Sequence, residues 1–489
     1  MSASMSRFRR AFLTNIASSS GATTLRFVVS LLLARLLTPA EVGVFAIALV
    51  GLEIANVLRD IGVSAYLQRE PDLTPAKIAS AFGLLCLSTG LVALLMWAAS
   101  VPLGRLYADP ALPGLIQWLA LGLLPVPFNH VMSALLLREL SARRIAAVSL
   151  LGTAVQAITA VGLAARGHGA MSLAWAHLAN IAACSLAYAA IRPAGLSWWP
   201  SLSHLGEVAR FGRGAWLSNL VLAVHNALPE LLLGRLASAH LVGLYGRASA
   251  TVNLFTALTG TATSFGALPH WARQHQLGVP IGPGLAHAAA LLTGLGWPAL
   301  ALTALFGQEL VSILYGAPWL AGVPAIPALA LLAGLGLLFT YSTAALTAIG
   351  RPALAALPPA ATAVGRLLAL PLLFSGDLSS CAWALLAGSV PGVAMQFWLL
   401  GRHIGLSPAA LLAAVRPSLL ASAACALAAS AAAACLPPET SSAATLLLSL
   451  LPALAAWYAT LRWSHHPLGA ELHGLAAGLT GLLRITIRK

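Results

Sequence analysis

"LLLARLLTPAEVGVFAIA" runs from Leu31 to Ala48, and "LLLGRLASAHLVGLYGRA" runs from Leu231 to Ala248. The two stretches lie 200 positions apart and agree at Leu31, Leu32, Leu33, Arg35, Leu36, Val42, Gly43 and Ala48. Each is an apolar run, an arginine, a short polar break and a second apolar run. Such text reads as the end of one helix, a tight connection and the start of the next. Its repetition predicts that a whole hairpin recurs, so the fold is built from two related halves.

The surrounding composition names the solvent. Of 489 residues, 59% are hydrophobic and 8% charged, against about a quarter charged in an ordinary soluble domain. Apolar runs of helix length recur throughout, each able to cross a hydrocarbon core of about 30 Å. Backbone groups in lipid must be satisfied internally, and nothing alternates as barrel strands do, so the spans are expected to be helices. The reading places 14 of them, centred near Ser20, Glu53, Gly90, Leu124, Ala154, Ile181, Leu222, Phe255, Thr293, Gly334, Val364, Val390, Ala421 and Leu450. Arg26 interrupts the first apolar run and no small-residue cleavage site follows, so that run is read as a retained helix.

The net charge of +14 is a matter of topology. With both termini on the cytoplasmic side, only Arg35, Arg105, Arg166 and Arg235 fall in outer segments, as the positive-inside rule requires. The clusters Arg7, Arg9, Arg10, then Arg138, Arg143, Arg144, and finally Arg484, Arg488, Lys489 face anionic headgroups. No aromatic and basic platform for nucleic acid accompanies them. The five cysteines stand singly without metal-ligand spacing, and the adjoining His465 and His466 are read as a solvated pair at a helix end. No metal site, cofactor or catalytic residue is expected.

The repeat divides the chain. Six spans separate its copies, an even number, so both copies face the same way and the lobes are related by an axis along the membrane normal. "RLYADPAL" (Arg105–Leu112) and "ILYGAPWL" (Ile313–Leu320) form a weaker second echo. The expected organisation is an N-terminal lobe over 1–191, an interfacial linker helix over 192–213 capped by Ser203, a C-terminal lobe over 214–402, and two extra helices with a basic tail over 403–489. Outer loops hold little more than ten residues, which leaves no room for the catalytic loop of a polysaccharide polymerase or ligase.

Ionisable groups inside a membrane cost about 3 kcal/mol or more, so each is a candidate for function. Arg26 lies nine residues before Arg35, about 13 Å deep at 1.5 Å per residue. Asn15, Ser19, Ala22, Thr23, Arg26 and Ser30 step by three or four along one face. The 200-residue offset carries Ser19 to Asn219, Arg26 to Asn226 and Ser30 to Glu230, so the seventh span has a matching polar face. In the second span Glu53, Asn56 and Asp60 share a face. Arg366 lies near the middle of the eleventh. An arginine fork suits a phosphate because it makes two charge-assisted hydrogen bonds at once. Arg26, Arg366 and Asn226 are therefore the expected substrate-binding residues, with Glu230, Glu53, Ser19, Asn219 and Ser30 lining the cavity or taking a coupling ion. Arg59, Asp60 and Arg247 read as structural, and His177, His225 and His287 as packing histidines.

Five stretches in order, "LLARLLTPAEVGVFAIA", "RDIGVSAYLQREPDLT" (Arg59–Thr74), "ALLLREL" (Ala134–Leu140), "ARFGRGAWLSN" (Ala209–Asn219) and "LLLGRLASAHLVGLYGRA", resemble Wzx-type oligosaccharide flippases of the multidrug/oligosaccharidyl-lipid/polysaccharide exporter superfamily. The resemblance implies a 14-helix inner-membrane transporter. It would move undecaprenyl-diphosphate-linked repeat units to the periplasmic leaflet for exopolysaccharide, capsule or O-antigen assembly. It also implies a polysaccharide polymerase and a chain-length regulator as partners. Glu230 departs from the aspartate that related sequences more often carry before "LLLGR". A cation or multidrug antiporter of the same superfamily and a lipid II flippase are the alternative expectations.

Overall fold

The computed structural model describes residues 25–139, 141–192, 199–201, 203 and 205–471, with backbone alone at 65, 142, 205, 207–215 and 255–267. All regular structure among these residues is helical. Contacts divide the chain into two units between Gly243 and Leu244.

The first unit holds helical residues 25–36 (α1), α2 (Pro39–Arg59), α3 (Val63–Arg69), α4 (Pro75–Leu106), α5 (Leu112–Gly122), α6 (Val126–Arg138), α7 (Ala142–Ala164), α8 (Ala170–Ala190) and α9 (Leu205–Leu236). The repeated motif has the helix–break–helix form expected of it. Residues 37 and 38 separate α1 from α2, and Thr38 opens α2 with a capping box: its Oγ1 accepts from Glu41 N at 3.3 Å while Glu41 Oε2 accepts from Thr38 N at 2.8 Å. Pro39 at the first helical position loses no hydrogen bond there. The second copy breaks at 237–238, where Ser238 Oγ accepts from Leu241 N at 3.4 Å before α10 (Ala239–Gln276) begins.

The two hairpins meet at their glycines. A Cβ on Gly43 would strike the Ala239 carbonyl and sit 2.8 Å from Gly243 N, while one on Gly243 would strike the Pro39 carbonyl. The contact is reciprocal between equivalent positions of the repeat. Tyr107 Oη donates to Leu231 O at 3.2 Å, and Trp216 Nε1 to Val57 O at 3.0 Å, fixing α9 against α4 and α2.

α10 passes into the second unit. There follow α11 (Ile281–Leu305), α12 (Gly307–Leu314), α13 (Ile326–Leu338), α14 (Ser342–Ala348), α15 (Leu357–Leu373), α16 (Leu378–Gly388), α17 (Val390–Ile404), α18 (Pro408–Ala434) and α19 (Ser442–Trp463), with short 3₁₀ turns at Ala317–Ala325 and Pro352–Ala356. The pair expected to be solvated after α19 divides instead. His465 is exposed, but His466 is 2% exposed and shares a 2.9 Å hydrogen bond with Ser418 of α18. Ser418 in turn accepts from Thr293 of α11 at 2.9 Å. Gly294 makes the room, since a Cβ there would lie 2.8 Å from His466 Nε2.

Eleven helices among the described residues are long and apolar enough to cross a membrane, twelve when α5 and α6 count as one bent span. Of the 14 expected centres, Ser20 lies outside the described residues and Phe255 falls where α10 is described by its backbone alone. The span centred on Leu124 bends by 46° at that point. Pro125 and Pro127 follow immediately, each lacking the N–H that would continue the ladder. Outward faces are apolar: on α4, Leu87, Leu91, Leu94 and Leu95 are each about 60% exposed while Leu85, Thr89 and Val92 are buried. Water would not tolerate such a face, and lipid does.

Candidate functional site

In the first unit a cavity of about 610 Å³ opens among α2, the α5–α6 bend, α8 and α9. Helical period brings Glu53, Asn56 and Asp60 of the second span to it on one side, with Arg59 beside them. The bend contributes His130, α8 contributes His177, and α9 contributes Asn219 and Asn226 one above the other.

At one end of this cavity the polar groups form a chain. Asp60 Oδ2 lies 3.3 Å from His130 Nε2, and His130 Nδ1 lies 3.3 Å from Arg59 Nη2. A guanidinium only donates, so Nδ1 accepts and the ring proton sits on Nε2, facing Asp60. Arg59 Nε donates to Asn56 Oδ1 at 3.0 Å, and Ser88 Oγ of α4 donates to the Arg59 carbonyl at 2.8 Å. Asp60 Oδ1 accepts from Val63 N at 3.1 Å and fixes the start of α3. Arg59 is 3% exposed, and among the described residues its Nη1 finds no acceptor.

This arrangement differs from the sequence reading in emphasis. Glu53, Asn219 and Asn226 do share one cavity. Arg59 and Asp60, read as structural, line it too. Arg26 projects from α1 as an exposed side chain whose Nη2 donates to Thr153 Oγ1 of α7 at 3.5 Å. Ser30 of α1 and Glu230 of α9 are half-buried, and Ser19 lies outside the described residues. Arg366 belongs to the second unit, 7% exposed where α15 crosses α16 so closely that a Cβ on Gly388 would lie 3.0 Å from its Cγ. Arg247, read as structural, lies over the rings of Tyr315 and Trp319 at 5.4 and 5.2 Å from their centroids, a packed cation–π site. His130 escaped the sequence reading altogether, because it stands 70 residues from Asp60 and no local spacing joins them.

Three comparisons bear on the chain. The family described as "Polysaccharide biosynthesis protein" matches residues 32–324. The teichuronic acid biosynthesis protein TuaB of Bacillus subtilis (strain 168) is 21% identical over 82% of this chain and 84% of its own. The succinoglycan biosynthesis transport protein ExoT of Rhizobium meliloti (strain 1021) is 26% identical over 48% of each. Among solved structures, the lipid II flippase MurJ in an inward closed conformation superposes with a TM-score of 0.75 at 11% identity, covering 92% of this chain and 99% of that one. An inward-facing multidrug resistance transporter of the MATE family gives 0.52 at 16% identity, over 78% and 94%. Those likenesses give the fold, and the family match spans more than half the chain: it belongs to the polysaccharide biosynthesis proteins.

Proposed function

We propose that this protein is a flippase of the bacterial inner membrane. It carries undecaprenyl-diphosphate-linked oligosaccharide repeat units to the periplasmic leaflet for exopolysaccharide, capsule or O-antigen assembly. The family and the names of its relatives support a glycan pathway. The cavity in the first unit is the observation that carries the reading. Its volume suits a headgroup of several rings, its asparagines suit sugar hydroxyls, and Arg59 holds a buried N–H without an acceptor. An unpaired N–H of that kind costs on the order of 1–3 kcal/mol. A diphosphate oxygen supplies the missing acceptor.

In this mechanism Arg59 and Arg26 engage the diphosphate in the first unit, and Arg366 binds anionic substrate in the second. Asn219, Asn226, Ser30 and Ser19 face the glycan. Glu53, Glu230 and the Asp60–His130 pair compete for the arginines or take a coupling ion, so that release of the anion follows a change of their charge. Transport proceeds by alternating access around the polar cavity. No covalent bond is made or broken.

The test is translocation of a prenyl-diphosphate-linked oligosaccharide in reconstituted vesicles, read by lectin access from outside. Arg59→Gln and Arg26→Gln should each lower the rate about tenfold or more, the worth of one charge-assisted contact. Undiminished rates in both variants would sink the diphosphate assignment.

A further inference from the structure

The second unit holds a different pocket, of about 640 Å³, at the converging ends of three helices. α10, α14 and α17 each finish there, and each turns away through a left-handed glycine: Gly278 at φ 68°, Gly350 at 76° and Gly405 at 74°. The lining carries four basic side chains, His275, Arg351, Arg402 and His403, and no acidic one. Arg351 Nη1 lies 2.9 Å from His403 Nδ1. Because arginine only donates, that nitrogen accepts and Nε2–H remains a donor. α11 starts at the same pocket, and its N-cap Pro280 offers the first turn no side-chain acceptor. Ile281 and Ile404 give the pocket an apolar wall beside the charges.

A cation in the last turn of a helix is ordinarily explained by the helix dipole. That accounts for His275, Arg402 and His403 singly, but not for Arg351, which follows the end of α14. Nor does it account for their convergence, from three separate segments, on one cavity whose described lining holds two guanidiniums and no carboxylate. Donors gathered from several directions around an open volume are what a phosphate requires.

We propose that this pocket is a phosphate-binding site at the membrane surface. Arg351 and Arg402 supply the charge, and His275 and His403 supply ring N–H donors. The ligand is a phosphate ester or diester, carried either by an anionic lipid headgroup or by a soluble molecule. Basic pockets between the ends of spanning helices hold lipid phosphates in this way. The proposal stands apart from the translocation reading and from the cavity of the first unit.

The full-length protein in neutral detergent is titrated with phosphatidylglycerol, with phosphatidylcholine as the zwitterionic control, and binding is read by native mass spectrometry. A parallel arm titrates inorganic pyrophosphate by calorimetry. The double variant R351Q/R402Q should lose about tenfold or more in affinity for the bound anion. R351K/R402K should keep part of it, and R105Q/R166Q, which removes two exposed arginines outside the pocket, should keep all of it. Selective phosphatidylglycerol binding alone identifies a lipid headgroup, and pyrophosphate binding identifies a soluble phosphate. The proposal is overturned if the wild type binds neither anion, if R351Q/R402Q binds as the wild type does, or if R105Q/R166Q loses as much.

Discussion

Gly43 and Gly243 pack backbone to backbone, and a Cβ on either would strike the carbonyl one helical turn before the other. They are the same position of one repeated hairpin, 200 residues apart. Gly43→Ala should therefore force the helices apart and lower stability by about 1–3 kcal/mol, the usual cost of overpacking. Gly51→Ala on the same helix meets nothing within 4 Å and should stabilise by about 0.5–1 kcal/mol. Thermal midpoints of the two variants in one detergent check the pair, and equal midpoints would refute the close contact.

Asp60 can be divided into its two roles by substitution. Asp60→Asn keeps an oxygen for Val63 N but removes the carboxylate from His130. It should leave the fold intact and slow translocation about tenfold, the worth of one charge-assisted contact. Asp60→Ala removes both and should also lower the thermal midpoint. His130→Phe should match the asparagine variant in transport, because it strips Arg59 of the same partner chain. A translocation assay paired with a melting curve separates these outcomes.

Asp377 gives a pH dependence outside the spans. It caps α16, accepting from Ser380 N at 3.1 Å and Ser375 Oγ at 2.8 Å. The backbone N–H and hydroxyl of Ser380, with the hydroxyl of Ser375, pull its pKa from the ordinary 3.8 down to about 2. A depressed pKa means stability present above the unfolded value and lost as pH falls through the folded one. The wild type should thus melt above Asp377→Asn at pH 6, and the gap should close between about pH 4 and 2. A gap that persists at pH 2 would contradict the assignment.

Ser418→Ala tests the buried line Thr293–Ser418–His466. It leaves His466 Nε2 short of its partner in a space with almost no solvent, while Thr293 keeps the Ala289 carbonyl of its own helix at 2.8 Å. A loss of about 1–3 kcal/mol is expected in thermal unfolding, while Ser422→Ala one turn on, whose hydroxyl returns to its own helix at Ser418 O, should cost far less.

Much of this was legible from residue order alone. The doubled hairpin showed because its break needs particular residues, a capping Thr or Ser after an apolar run. The polar face Glu53–Asn56–Asp60 showed because helical period is fixed. What stayed hidden depends on tertiary approach. His130 reaches Asp60 only because the span breaks at Leu124, and proline in apolar text gives no bend angle. His466 looked solvated because the space beside Gly294 is created by α11 and α18 together. Arg59 reads as structural because it stands at a helix end, and the orphaned state of its Nη1 among the described residues depends on tertiary packing that residue order does not carry.

One carboxylate links the cavity to the chain that follows it. Asp60 gives Oδ2 to His130 and Oδ1 to the first turn of α3, directly after a left-handed Gly62 at φ 76°. A single side chain is thus shared between the wall of the cavity and the first turn of α3, so the placing of one fixes the placing of the other.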